Sequence, residues 1–391
     1  MRRRDFLRLL TAAPFAAFAV PALAAALPAR LLILVELKGG NDGLNTLVPH
    51  ADPHYAGLRP RLAIARDTLL PVSDSEGLHP ALARLMPAWE AGELAIVRGL
   101  GYPEPNLSHF RSIEIWDTAS SSHDYLADGW LARALARRPS PAHFAADGVV
   151  VGAADLGPLS GGAARTIALT DPEQFLRSAR LASSEAVPVA NAALAHVLRV
   201  EADIRRSADR LRPGRGLSTA FPGGPFGTAV KTAAQLAAHP ENALAIRITL
   251  NGFDTHANQL GTHAGLLRQL GEGLACLRAG LQEAGRWNDT LVATYAEFGR
   301  RPRENQSGGT DHGTASVHFV MGGGVNGGLH GEPPRLDRLD ANGNPAFSVD
   351  FRSYYATLLR GAWGLDSAGI LGAAFPALGF VKGPGAISKQ V

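Results

Sequence analysis

In the stretch NGFDTHANQLGTH, Asp254, His256 and His263 fall within ten positions, directly after the apolar run ALAIRITL. Asp311 and His312, in GGTDHGTASVHF, stand just before another apolar run. Carboxylates and imidazoles without thiolates suit a working site for zinc, manganese, magnesium or calcium rather than a structural zinc cluster. A histidine near a strand end is also common as a plain structural residue, so Asp-x-His alone leaves both readings open. Asp42 and Asn45 follow LLILVEL in a turn made by Gly39, Gly40 and Gly43, and Glu297 and Arg300 follow TLVATYA. Ser108 and His109 open a helical pattern after LAIVRGLGYPEPN. A serine there reads either as an N-cap or as a nucleophile helped by free N–H groups and the helix dipole. Arg300 reads either as the partner of an anionic substrate or as part of a solvated loop, GRRPREN.

The elements that must carry these residues are strands alternating with helices. LLILVEL, HPALARLMPAWEAG and LAIVRGL come in that order, and the later strands are ALAIRITL, TLVATYA and SVHFVMG. A long helical stretch, LLRQLGEGLACLRAGLQEAG, separates the first two of these later strands. This order predicts an α/β protein with a parallel sheet flanked by helices. Polar residues at the carboxyl ends of such strands converge on one crevice, because the connecting loops meet there. Convergence of separate clusters is what favours a metal site over chance.

The chain has 391 residues, 46% hydrophobic and 19% charged, the composition of a globular protein. Its start, MRRRDFLRLLTAAPFAAFAVPALA, reads as a targeting segment over residues 1–24, and Arg3-Arg4-Asp5-Phe6-Leu7 resembles a twin-arginine signal. Four arginines and one aspartate lie in that segment, so the remainder balances 34 basic against 34 acidic residues. The net charge beyond the signal therefore argues against nucleic-acid or anionic-membrane binding, and no second apolar run is long enough to span a membrane. The expected location is periplasmic or secreted, with the twin-arginine translocon as the partner during export. The single cysteine, Cys276, can form no internal disulfide and reads as a buried helix residue. Residues 25–391 read as a single domain in which 125–215, with GVVVG, TIALT and a helical stretch from Val187 to Leu211, is an insertion or cap.

The motifs ELKGGNDGLNTLVP, YPEPNLSHFRSIEIW, FDTHANQ, AEFGRRPREN, GTDHG and DFRSYYATLL together resemble the bacterial exported family catalogued as domain of unknown function 1501. That family is similar to the alkaline phosphatase and sulfatase superfamily. The resemblance implies a three-layer sandwich with a mostly parallel central sheet, alkaline-phosphatase-like. It implies metal ligation by Asp42, by Asp254 with His256 or His263, and by the Asp311-His312 pair, chiefly through His312, with Ser108 as nucleophile. Where a two-zinc phosphatase would have Asp-His, this chain has Glu297-Phe298, leaving Asp42 and Glu297 for a harder ion or for no second metal. Ser108 lacks the cysteine context of sulfatases.

The expected function is that of an exported metal-dependent hydrolase of phosphate or related anionic esters. Zinc is the first choice of metal, with magnesium, manganese or calcium as alternatives. Ser108 would attack and Arg300 would bind nonbridging oxygens. The alternative is a non-catalytic envelope protein for binding or assembly that keeps the fold.

Overall fold

A computed structural model describes residues 30–170, 205–206, 208–211 and 216–382. The expected targeting segment, residues 1–24, and most of the Val187–Leu211 stretch lie outside the described residues.

Leu31–Lys38 (β1) is a run of aliphatic side chains interrupted by Glu36 and buried at every position but the last, as expected of a central strand covered on both faces. It pairs in parallel with Ala245–Asn251 (β8) on one side and Thr290–Tyr295 (β9) on the other. The other strands of this nine-stranded sheet are Leu94–Gly101 (β5), Gly148–Val151 (β6), Thr166–Leu169 (β7), Ser316–Met321 (β12), Gly328–His330 (β13) and Val349–Asp350 (β14). Their order is β13-β5-β12-β9-β1-β8-β6-β7, with β14 also on β5. Leu47–Val48 (β2), Leu70–Pro71 (β3) and Gly77–Leu78 (β4) make a small separate sheet, and Gly299–Glu304 (β10) with Thr310–Gly313 (β11) a hairpin.

Among the described strands of the nine-stranded sheet only β12 runs against its neighbours, pairing antiparallel with both β5 and β9. Its first residue therefore lies at the edge where β1, β5, β8 and β9 end. That single reversal brings a segment preceding a strand to the same mouth as four segments that follow strands.

Successive β1 side chains enter different layers. Leu31, Ile33, Val35 and Leu37 pack with Leu267, Leu270, Leu274 and Leu277 of a helix over Gln259–Glu283. Leu32 and Leu34 join a core containing Trp116 from His109–Thr118 (α1), Leu131 from Trp130–Arg137 (α2), and Tyr354 and Leu358 from Phe351–Trp363. With Gly224–Ala237 as α3, the Gln259–Glu283 helix is α4 and the Phe351–Trp363 helix is α5. The α/β class and the mostly parallel sheet predicted from the strand and helix order are what the chain adopts.

Three expectations need correction. HPALARLMPAWEAG forms a 3-10 stretch, Pro80–Leu85, followed by a short helix, Met86–Glu90, because Pro87 has no N–H to continue one uniform ladder. GRRPREN is not a solvated loop but largely strand β10, in which Gly299, Arg300 and Pro302 are buried. β6 and β7, from the stretch 125–215 read as an insertion or cap, pair in parallel with each other and, through β6, with β8 of the main sheet. Cys276 lies on α4, half-buried rather than fully enclosed. Among the described residues no helix is long and apolar enough to cross a membrane.

Candidate metal centre

The turn after β1 sets the floor of the mouth. Gly39 and Gly40 have φ of +112° and +80°, and a side chain on Gly39 would meet the backbone nitrogen of Asp254 at 2.4 Å. Glycine is required there for both the backbone conformation and the close approach. The approach places Asp254, three residues beyond β8, directly over the end of β1.

Arg300 then holds Asp254 from below. Its guanidinium is fully enclosed and donates to the carbonyls of Gly39, Gly40 (2.8 Å), Phe253 (3.1 Å) and Thr310 (3.0 Å), and to Asp254 Oδ1 at 2.7 Å. Bonded to protein oxygens through all three nitrogens, Arg300 buttresses Asp254. Burial alone would raise the Asp254 pKa, but the Arg300 and His312 hydrogen bonds and the nearby His256 pull it down to about 2. Asp254 is thus a carboxylate across the working pH range.

Three imidazoles surround this carboxylate. His109, the first residue of α1, brings Nε2 to 3.3 Å from Asp254 Oδ2. His256 Nε2 is 3.0 Å from Asp254 Oδ1 and 3.0 Å from His312 Nε2, and His312 Nε2 is 3.2 Å from Asp254 Oδ1. His312 arrives because β11 pairs it with Arg300 across the hairpin. Ligand atoms of His109, Asp254 and His312 lie within 4.8 Å of one another.

The far nitrogens are occupied. His312 Nδ1 is 2.7 Å from the Leu107 carbonyl, which can only accept, so Nδ1 carries the proton. His109 Nδ1 is 2.9 Å from Glu297 Oε1, which also accepts from the Gly39 N–H at 2.9 Å. His256 Nδ1 faces Asp311 Oδ1 at 3.5 Å, and Asn305 donates to that oxygen at 3.2 Å. In the neutral rings of His109 and His312, therefore, Nε2 presents a lone pair toward the Asp254 carboxylate. Acceptors facing acceptors at 3.2–3.3 Å need positive charge between them, as protons or as a metal ion. The Glu297 hydrogen bond raises the His109 pKa, whereas burial lowers that of His312.

The other sequence candidates lie elsewhere. Asp42 is fully buried, with Oδ2 at 2.5 Å and Oδ1 at 3.0 Å from the Arg59 guanidinium, and it also accepts from Gln259 and the Leu44 N–H. Both its oxygens are spent on neighbours away from the cluster, because Arg59 folds back beneath the hairpin. Glu297 is buried beside His109 rather than facing Asp42. His263 is buried in α4 with Nε2 2.9 Å from Asn41 Oδ1, and has no contact with Asp254. Of the two histidines that follow Asp254, His256 is the one at the cluster. Ser108 is exposed at the N-cap position of α1, where its hydroxyl makes no capping bond.

His109 is the residue that sequence reasoning noticed only as a helix start. Phe110, one residue on, is 89% exposed instead of joining the helix's apolar stripe. The buried face of α1 is Arg111, Ser112, Ile115 and Trp116, and that rotation turns His109 toward the mouth.

Two histidines outside the cluster make stability depend on pH. Burial pushes the pKa of His263 down to about 4 and that of His318 to about 3. Because both folded values lie below the ordinary 6.5, the unfolded chain takes these protons first. Their contribution is complete above pH ~6.5 and is lost as pH falls toward the folded values. On the order of 2 kcal/mol per histidine should be lost between pH 7 and pH 5. Urea unfolding in chelator at the two pH values checks this, and a His263→Asn, His318→Asn variant should flatten the profile. Equal parent stability at both would mean that these rings are not held neutral.

The chain is thus an α/β protein with an imidazole and carboxylate cluster at the carboxyl edge of a mostly parallel sheet. It belongs to the family described as protein of unknown function (DUF1501), whose model matches residues 95–359 and so more than half of the chain. Among curated proteins none matches the sequence. Similar solved structures include the lipoteichoic acid synthase LtaP from Listeria monocytogenes, at 10% identity and a TM-score of 0.34, covering 75% of this chain and 65% of that one. A protein of the alkaline phosphatase superfamily from Vibrio parahaemolyticus is similar at 10% identity and a TM-score of 0.36, with 77% and 62% covered. The soluble domain of lipooligosaccharide phosphoethanolamine transferase A from Neisseria meningitidis has 10% identity and a TM-score of 0.39, with 89% and 95% covered. The chain therefore spans less than two thirds of the length of the first and second of these.

Proposed function

We propose that the protein is an exported metal-dependent hydrolase of phosphate or related anionic esters. Its centre is built on His109, Asp254 and His312, with His256 beside them. The observation that carries the reading is the pair of inward Nε2 lone pairs of His109 and His312 around an ionised carboxylate, each of these rings with its Nδ1 hydrogen-bonded. Nitrogen-rich donors of this kind suit zinc, or manganese as a second choice, better than magnesium or calcium. A metal held there supplies Lewis-acid polarisation of a substrate oxygen.

The chain's own groups supply the rest. Ser108 stands next to His109 with an uncommitted hydroxyl and is the nucleophile of this reading. The N–H groups of the first turn of α1 donate to substrate oxygens on which negative charge develops. Arg300 keeps Asp254 ionised and aimed, a different task from the substrate binding expected of it. The twin-arginine signal and a periplasmic location complete the proposal.

A second reading has one specific observation in its favour. If His256 also served as a ligand, the metal would be held by four protein donors with no place left for substrate, which would suit a non-catalytic envelope protein. The deciding experiment screens phosphate mono- and diesters with the zinc-loaded parent and with Ser108→Ala. Turnover in the parent that falls by about 1000-fold or more in Ser108→Ala supports the hydrolase. Turnover that survives the substitution removes Ser108 from the mechanism, and a parent that is loaded but inert favours the closed site.

A further inference from the structure

We infer that Glu297 is not a metal ligand but a positioning residue, whose buried charge orients His109 and strengthens its donation to the metal. The inference rests on the proposed metal centre and assigns an outer-sphere task within it. The side chain of Glu297 is only 3% exposed. Oε1 accepts from the Gly39 N–H and from His109 Nδ1, both at 2.9 Å, so the ring presents Nε2 to Asp254. Ser112 Oγ donates to the Glu297 backbone carbonyl, tying this residue to α1, the helix that carries His109.

The other oxygen, Oε2, is buried and has no hydrogen-bond partner among the described residues. Capping the Gly39 N–H would need only a neutral acceptor. A carboxylate kept with one oxygen bare is costly unless positive charge sits close by. The ring of His109 is its contact, and a cation bound to that ring's far nitrogen would supply the charge. Carboxylate, imidazole and metal in that order make a known arrangement in which the outer carboxylate fixes the tautomer and raises ligand basicity.

The sequence alone presents Glu297 as a ligand for a second ion, beside Asp42. The structure puts it on the opposite side of an imidazole from the cluster, with Asp42 spent on Arg59.

The test is cobalt binding by the metal-free full chain, with affinity measured by chelator competition and the ligand set by the visible spectrum. Glu297→Gln is compared with the parent, and Asp254→Ala serves as the loss-of-ligand control. Glu297→Gln should weaken cobalt binding about 10- to 100-fold, leave the spectral bands in place, and leave the unfolding temperature of the metal-free protein unchanged or higher. The conservative Glu297→Asp variant, which keeps the charge, should recover part of the affinity. Unchanged affinity in Glu297→Gln overturns the inference, and so does a spectrum showing a lost ligand. A parent that takes up no cobalt overturns the metal centre itself, an outcome distinct from either.

Discussion

Asp254→Ala should purify without metal and bind zinc or cobalt at least ~100-fold more weakly than the parent, beyond the range expected from outer-sphere changes. Asp254 is the one carboxylate that contacts all three imidazoles, at 3.0–3.3 Å. Its removal leaves the three rings without the carboxylate that lies between their Nε2 atoms. The same change strips Arg300 of its only carboxylate partner among the described residues, although four carbonyls still accept from that guanidinium. Asp254→Asn is therefore the companion variant: it keeps an acceptor for Arg300 while losing the charge. His312→Ala tests the same site from the hairpin. Elemental analysis of all four proteins after native export is the measurement. Stoichiometric metal in the parent, absent from the three variants, is the expected result; metal retained in Asp254→Ala would place the site elsewhere.

Asp42→Ala should lower stability by about 3–5 kcal/mol, the range for removing one partner of a buried ion pair. Both side chains of the Asp42 and Arg59 pair are fully enclosed. Arg59 also donates to the carbonyls of Pro302 and Arg301 and to Asn45, so its charge cannot swing out to water when Asp42 is lost. Burial would raise the Asp42 pKa, but Arg59 more than offsets it, and the folded value lies below the ordinary one. The contribution is accordingly present above pH ~4 and lost as pH falls through the folded value. Urea denaturation at pH 7.5, clear of the histidine transitions, reads the loss. Metal content measured on Asp42→Asn separates stability from ligation. A normal metal load agrees with Asp42 lying off the cluster, whereas an empty site in a well-folded variant would make Asp42 a ligand after all.

How much of this was legible in the sequence depends on the range of the interaction involved. β1, β5, β8, β9 and β12 all show as local runs of aliphatic and β-branched residues, and each forms within a residue or two of its expected bounds. The convergence of Asp254, His256 and His312 was legible for a related reason: strand ends of a mostly parallel sheet meet at one edge, so residues just beyond them share a mouth. His109 was less so. Helical periodicity located α1 but not its rotation, and the rotation decides that His109 faces the mouth while Phe110 faces water.

The partners of the arginines carry no sequence signal at all. Nothing in the spacing says that Arg59 closes on Asp42, or that Arg300 spends its donors on Gly39, Gly40, Phe253, Thr310 and Asp254. Patterns of residue type settled the class of fold, the strands and the chemistry of the donors, since these follow from local propensity and burial period. The packed fold alone settled which carboxylate meets an imidazole, which meets an arginine, and which histidine turns inward. Those outcomes depend on contacts between residues as far as 261 apart in the chain, where a shift of one side chain exchanges a carboxylate among imidazoles for a buried ion pair.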